Sequence, residues 1–173
     1  MSSVMKLHLI LCLLACFQVS SAVAVEADPF AVVKGVWLTE DKEGAVELYT
    51  CGDELCGKFY WLKSEAGATS AEDRDDNNPD PKLRGRPLCG MQFMGGFKPE
   101  DDGAFTGGWI YSPRHGAKFS SEIRTSSKNA LELRGYLLLP LLGESQTWTK
   151  ADKIAPCTPQ RDATNKNNVP DRT

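Results

Sequence analysis

Apolar residues in this chain recur mostly at every second position, in short runs separated by polar turns. In residues 45–51, for example, Val46 and Leu48 alternate with Glu47 and Tyr49. A period of two is typical of a β-strand that buries one face and exposes the other. The pattern therefore predicts strands, and no segment keeps an apolar helical period for more than two turns.

Eight runs have this character, and residues such as Asp, Asn, Gly and Pro separate most of them. They cover residues 33–39, 45–51, 56–63, 91–98, 104–112, 117–125, 130–136 and 145–150. An open antiparallel sheet of eight strands would expose two edges, and closure removes them. We therefore predict an all-β fold, an eight-stranded antiparallel up-and-down barrel, with a two-sheet β-sandwich as the alternative. A barrel of this size is filled by side chains or holds one small ligand.

The first 24 residues predict a signal peptide. Lys6 precedes an apolar run over residues 7–17, and small residues lead to Ala24, after which we expect cleavage. The protein is therefore predicted to be exported, to the periplasm or the medium. In an alternative interpretation the segment ends in a lipoprotein cleavage box, and Cys16 carries a lipid anchor.

Composition narrows the possible partners. The chain has 173 residues and a formal charge of −3, without a cluster of Lys and Arg, which argues against a nucleic-acid partner.

After the signal peptide no apolar run is long enough to span a membrane as a helix. We predict one domain over residues 30–150, monomeric and without a cofactor, followed by a disordered polar tail over residues 151–173.

Four cysteines lie outside the signal peptide, and an even number in an exported chain favours disulfides. Cys51 and Cys56 flank a polar turn between two predicted strands, so a hairpin would bring them within bridging distance. Cys89 with Cys157 would follow by elimination. The alternative, equally open, is that Cys89 is buried as a thiol and Cys157 is free.

The first and the last predicted strands each carry a short motif that contains a tryptophan. Gly35 and Trp37 lie on the first strand, and Trp148 and Lys150 lie on the last. This arrangement resembles the lipocalins and the wider calycin barrels, in which a Gly-x-Trp motif packs beneath a basic residue of the final strand. Closure of the barrel would place the cation over the indole. The resemblance implies a structural role for these four residues.

A second resemblance covers about residues 33–150. It rests on GVW, CGKFYWLK, DDNNPDPKLRGRPLCG, GGWIYSPRHGAKFSSEIR and LELRGYLLLPLLGESQTWTK, in that order. These motifs are similar to the bacterial exported family catalogued as domain of unknown function 2147. The resemblance implies an exported bacterial protein with a calycin-like barrel, and it implies no activity.

The long polar segment between the third and fourth strands has two interpretations. Asp73, Asp75 and Asn77 have the alternate spacing of a calcium loop, but Arg84 stands where such a loop needs a bidentate Glu. The favoured interpretation is an internal ion-pair clasp between the acidic run and Arg84 or Arg86. No metal site is therefore predicted.

Catalytic patterns are sparse. A Ser-His-Asp triad would need His115, which lies in a turn expected to be exposed. Asp75, Asp76 and Asp80 could serve a hydrolase if one of them were buried beside a second carboxylate. We assign no catalytic residue, and a hydrolase that uses the carboxylates of the 73–80 loop remains an alternative function.

The most apolar stretch after the signal peptide is the run Leu137–Leu142. The favoured interpretation is a buried connection that seals one barrel end, and the alternative is an exposed apolar rim at the barrel mouth. Arg124 and Arg134, on the strands, are expected to point outward. Aromatic and basic residues are candidates for ligand contacts: Trp61, Trp109, Tyr111, Arg84 and Arg86.

By analogy of fold, the sequence favours an exported binding module for a small apolar or amphipathic ligand or for an envelope protein. Besides the hydrolase, a structural or inhibitory envelope protein is the other alternative.

Overall fold

The computed structural model describes residues 28–63 and 73–158. Eight strands and one short 3₁₀ helix follow in chain order: β1 Gly35–Leu38, β2 Gly44–Cys51, β3 Glu54–Leu62, β4 Gln92–Pro99, β5 Ala104–Ser112, β6 Ala117–Ser127, β7 Ala130–Tyr136, the 3₁₀ turn Pro140–Leu142, and β8 Glu144–Lys150. Each predicted strand is present, and its ends lie within two residues of the prediction.

The strands form one closed barrel in sequence order, and all neighbours are antiparallel. Closure is made by β1 and β8, which pair Trp37 with Lys150 and Leu38 with Thr149. The predicted up-and-down barrel is therefore confirmed, and the β-sandwich alternative is wrong. Closure satisfies the backbone groups that two free edges would expose.

Large side chains fill the barrel interior. The core contains aromatic and aliphatic residues from the strands and from the turn that precedes β1: Phe30, Val33, Trp37, Val46, Leu48, Leu55, Phe93, Met94, Phe97, Phe105, Ile123, Leu131, Leu133 and Trp148. A Cβ added at Gly108 would lie 2.2 Å from the ring of Phe97, so this glycine makes room for the ring. Burial of such a core is the main driving force for folding.

The connectivity divides the loops between the two ends of the barrel. One end carries the β2–β3, β4–β5 and β6–β7 turns, together with the N-terminal turn that contains Phe30 and Val33. The other end, here called the mouth, carries the β1–β2, β3–β4, β5–β6 and β7–β8 connections. The N-terminal turn adds to the core, and the indole of Trp37 donates a 2.7 Å hydrogen bond to the carbonyl of Val33.

The favoured disulfide Cys51–Cys56 is present, and of the two interpretations left open for the other cysteines the structure shows the bridge Cys89–Cys157. The second bridge corrects the predicted tail. We expected disorder from residue 151, but the amide of Ala151 donates to Val36 and that of Cys157 to Tyr60. Residues 151–158 are thus fastened to the barrel. Residues 159–173, and the predicted signal peptide with Cys16, lie outside the described residues.

Candidate functional site

The mouth of the barrel has an apolar floor. Phe59, Met91 and Ile110 are half-buried and pack on the upper part of the core. Phe59 stacks on Phe93 with ring centroids 4.0 Å apart, a favourable aromatic geometry. Strand alternation places Phe59 and Ile110 on the inner face, opposite the inward Val46 and Met94. The floor is therefore the partly accessible top of a filled interior.

Next to the floor, the loop Leu137–Leu142 between β7 and β8 is exposed. The exposed fractions are 60% for Leu137, 96% for Leu138, 59% for Leu139, 87% for Leu141 and 75% for Leu142. The prediction that this run seals the barrel end is therefore wrong, and the alternative of an apolar rim is the one observed. The physical reason is that Phe59, Phe93 and their neighbours already occupy the interior at the mouth, so the leucines find no cavity to enter.

Arg134 on β7 holds this loop from the outer face of the barrel. Its Nε donates to the carbonyl of Pro140 at 2.8 Å, and its Nη1 donates to the hydroxyl of Ser145 at 3.0 Å. Arg124 likewise points outward and pairs with Asp102 at 3.1 Å. The expected outward direction of both arginines agrees with the structure, and Arg134 gains a defined role as the support of the leucine loop.

A polar network surrounds Asp75, which is fully buried on the β3–β4 connection. Tyr111 donates to Oδ1 at 2.7 Å, whereas Asn78 donates to Oδ2 at 2.6 Å. Arg86 donates to Oδ2 from Nε at 2.9 Å and from Nη2 at 2.8 Å. The predicted clasp thus joins Asp75 to Arg86. Arg84 instead donates to the backbone oxygen of Asn78 at 2.7 Å.

The network determines the charge state of this carboxyl group. Burial alone would raise the pKa of Asp75, but the hydrogen bonds from Tyr111, Asn78 and Arg86, together with the charge of Arg86, lower it below its usual value. Asp75 is therefore ionised at neutral pH and has no proton to donate. The hydrolase interpretation required a buried carboxylate beside a second one, whereas the partner here is a guanidinium, and Asp76 and Asp80 are exposed.

The same contacts argue against the calcium interpretation. Both oxygens of Asp75 accept hydrogen bonds, and the side-chain amide of Asn77 donates to the carbonyl of Arg114 at 3.1 Å. Within residues 28–63 and 73–158, no group of three or more His, Cys, Asp and Glu residues is arranged to hold a metal ion. Hydrogen bonding and the ion pair to Arg86 account for the folding of this loop.

His115 does not form a triad. Its Nδ1 lies 2.9 Å from the hydroxyl of Ser112, in an exposed turn between β5 and β6. In a Ser-His-Asp triad the aspartate occupies Nδ1 and the serine uses the other ring nitrogen. The contact between Ser112 and His115 is therefore a local turn interaction.

The predicted ligand-contact residues are spread over the barrel wall. Tyr111 and Arg86 belong to the network around Asp75, with the Arg86 guanidinium 5.9 Å from the Tyr111 ring. The ammonium of Lys118 lies 3.8 Å from the ring centroid of Trp109. Trp61 is half-buried and pairs with Ala45 of β2. A ligand role for Trp61, Trp109, Tyr111, Arg84 and Arg86 stays a prediction.

The floor residues were missed at the sequence level. Phe59 and Ile110 lie in strand runs whose alternation indicated their direction, but alternation does not tell which inward residue is near a barrel end. The ammonium of Lys150 lies 4.4 Å from the ring centroid of the buried Trp37.

Together, the closed eight-stranded barrel, its filled core and the lysine over the first-strand tryptophan give the chain a lipocalin-like barrel fold. Residues 35–150 match a family described as "Uncharacterized protein conserved in bacteria (DUF2147)". The chain belongs to this family, as the sequence motifs implied.

One solved structure with a similar fold is that of protein HP1028 from the human pathogen Helicobacter pylori, described as belonging to the lipocalin family. The TM-score is 0.60 and the sequence identity 21%, over 69% of this chain and 82% of that chain. At this identity the likeness concerns the fold alone. No curated protein matches the sequence. Within the described residues, no helix has the length and apolar character needed to cross a membrane.

Proposed function

We propose that this protein is an exported bacterial binding protein that holds a small apolar or amphipathic ligand at the mouth of its barrel, above the core. The observation that carries the proposal is the apolar floor of Phe59, Met91 and Ile110, half-open to solvent beside an exposed leucine loop. Small-molecule sites combine apolar contact surface with a few polar groups, and lipocalin-like barrels place such sites at or below the mouth.

The filled interior shapes this proposal. Trp37, Phe97 and Phe105 are almost completely buried, and the side chains around them close the centre of the barrel. A ligand would therefore lie across the floor, with its apolar part on Phe59 and Ile110 and a polar end in water. An amphipathic molecule suits a shallow site of this kind, because its polar end needs no buried partner.

Export is part of the proposal. Disulfides persist in oxidising compartments and are rare in the cytosol, and the structure has two. This supports the predicted signal peptide. We propose the periplasm or the medium as the location, with attachment through a lipid on Cys16 as the alternative.

The test uses N-phenyl-1-naphthylamine, an apolar fluorescent probe, and dodecanoate as its competitor. We expect the probe to brighten with the wild-type chain and dodecanoate to displace it. Ile110→Ser should weaken probe binding at least fivefold, because it places a hydroxyl in the apolar floor. Val32→Ser, at an exposed position 61% accessible near the other end, is the matched control and should change nothing.

Near-ultraviolet circular dichroism would verify that Ile110→Ser keeps the native packing. Absence of probe binding by the wild type, or equal binding by Ile110→Ser and Val32→Ser, would contradict the proposed site. Native mass spectrometry of the protein purified from the cell envelope would add the mass of any retained molecule.

A further inference from the structure

We propose that the loop Leu137–Leu142 docks the barrel on a lipid bilayer, with its leucine side chains inserted at the level of the headgroups and the first acyl carbons. This goes beyond the proposed function, because the loop contacts a membrane surface and its residues are not those of the floor that would bind the ligand. It would place the mouth of the barrel at the surface from which an amphipathic ligand is collected.

The first argument is the amount of apolar surface. Five of the six residues of this loop are leucines with exposed fractions of 59–96%, and the largest apolar patch of a typical monomer covers about 300–600 Å². The largest exposed apolar patch of a protein is often a functional contact surface. Elsewhere in the described residues, the exposed large hydrophobic side chains are Val32 and Leu83, which lie apart from this loop in the sequence.

The second argument is the conformation of the loop. Leu138 has φ of 65°, in the left-handed region that a bulky side chain rarely adopts, and its side chain is almost fully exposed. Arg134 meanwhile fixes the backbone through the carbonyls of Pro140 and Leu141. The barrel gains no core packing from these leucines, so the loop is a supported protrusion whose apolar tip is available to a partner.

The third argument is the character of the neighbouring residues. The β6–β7 register ends with Ser120 opposite Tyr136, so Lys118, two residues before Ser120 on β6, lies at the same end of the barrel as the leucine loop. The ammonium of Lys118 covers Trp109, and Tyr136 precedes the loop. Tyrosine, tryptophan and lysine beside an apolar tip are the residues that membrane interfaces favour.

Charge adds a smaller contribution. Arg114, whose side chain is 82% exposed, lies in the β5–β6 turn at the mouth, and Lys118 follows it at the start of β6. Glu144 follows the leucine loop, and Glu43 of the β1–β2 turn lies 3.9 Å from Arg114, so both carboxylates oppose these two cations. Insertion of the leucine side chains therefore contributes most of the free energy of membrane binding, and the two cations add a preference for anionic lipid.

A bilayer fits this surface better than a second copy of the chain. A standard protein interface buries about 800 Å² and about 20–30 residues on each partner, whereas the exposed leucines belong to one six-residue loop. A bilayer needs no matching shape, because lipids rearrange around an inserted side chain.

The experiment is flotation of the protein purified after export and cleavage of the predicted signal peptide, with large unilamellar vesicles of phosphatidylethanolamine and phosphatidylglycerol, 3:1, on a density gradient. All chains carry Cys16→Ser, so that no lipid anchor can contribute. The Leu138→Ser/Leu141→Ser variant should lower partitioning at least tenfold. The control, Val32→Ser, removes an exposed apolar side chain at the opposite end of the barrel and should partition as the wild type does.

A second comparison tests the cations. Lys118→Ala should lower partitioning about threefold on the anionic vesicles and have no effect on phosphatidylcholine vesicles, whereas Lys128→Ala, at the opposite end of the barrel, should have no effect on either. Because both leucines are exposed, thermal unfolding should show the double leucine variant to be as stable as the wild type.

Failure of the wild type to float, or equal flotation of the leucine variant and its control, would overturn the proposal. So would a concentration-dependent dimer in sedimentation that disappears in the leucine variant, because the loop would then be covered by a second copy. The probe-binding assay separates the two proposals. If Leu138→Ser/Leu141→Ser loses flotation but keeps probe binding, docking through the loop is supported. If Ile110→Ser loses probe binding but floats as the wild type does, the ligand site is supported and the docking surface is separate from it.

Discussion

The ammonium of Lys150 lies 4.4 Å from the ring centroid of Trp37, on the two strands that close the barrel. Lys150 also donates a hydrogen bond to the carbonyl of Lys34, and burial lowers its pKa. The cation covers the indole and caps the end of the core at the closure seam. A close approach of this kind depends on Gly35, where a Cβ would lie 2.9 Å from the lysine nitrogen.

Replacing Lys150 by Met should lower the free energy of unfolding by about 1–2 kcal/mol, because the apolar stem is kept while the cation–π contact and the hydrogen bond are lost. Urea denaturation measures this change. Lys128→Met, in the exposed β6–β7 turn, should leave the midpoint unchanged, and an equal midpoint for both variants would count against a stabilising role of the cation.

Replacing Arg86 by Met should destabilise the protein by about 2–3 kcal/mol, because it leaves the buried carboxylate of Asp75 without its cation. Tyr111 and Asn78 would still donate to Asp75, which limits the loss. Arg84→Met is the control in the same loop, since Arg84 is exposed and donates to one backbone carbonyl. Its effect should be clearly smaller in the same urea experiment, and equal effects would contradict the assignment.

Acid should weaken the fold partly through Asp75. Its folded pKa lies below the usual value of 3.8, so the folded state favours the ionised form. This contribution is present above about pH 4 and is lost as the pH falls through the lower, folded pKa. Urea midpoints at pH 7, 5, 4 and 3 should therefore decrease less steeply for Asp75→Asn than for the wild type. Parallel decreases in the two proteins would show that Asp75 does not contribute.

The two disulfides should differ in their contribution. Cys89–Cys157 spans 68 residues, whereas Cys51–Cys56 spans 5. If a disulfide stabilises by lowering the entropy of the unfolded chain, Cys89–Cys157 contributes about 4 kcal/mol to the free energy of unfolding and Cys51–Cys56 about 2 kcal/mol. The Cys89→Ser/Cys157→Ser variant should therefore unfold at lower urea concentration than Cys51→Ser/Cys56→Ser. The reverse order would show that strain or packing outweighs chain entropy.

Leu138→Gly should raise the free energy of unfolding by about 1 kcal/mol, because glycine adopts the left-handed conformation without the steric cost that a leucine has there. The same change should weaken flotation with vesicles. Leu141→Gly, in the same loop without a positive φ, should weaken flotation without stabilising the protein. A loss of stability in Leu138→Gly would contradict the interpretation of the loop as a strained protrusion.

The alternation of apolar and polar residues was sufficient to predict the eight strands and their closure, because a strand with one buried face must alternate and an open eight-stranded sheet has exposed edges. The partners Trp37 and Lys150 were predictable for the same reason, since closure sets β1 beside β8. The clasp between Asp75 and Arg86 was anticipated from opposite charges within one loop.

Tertiary structure decided the candidate site. The run Leu137–Leu142 is apolar at nearly every position, so its pattern is equally compatible with burial and exposure. The outcome depended on the space left at the mouth, which Phe59 and Phe93 occupy by stacking across two strands. Local pattern specifies which face of a strand turns inward. The volume available inside depends on all strands together, and in this protein it left the leucines outside.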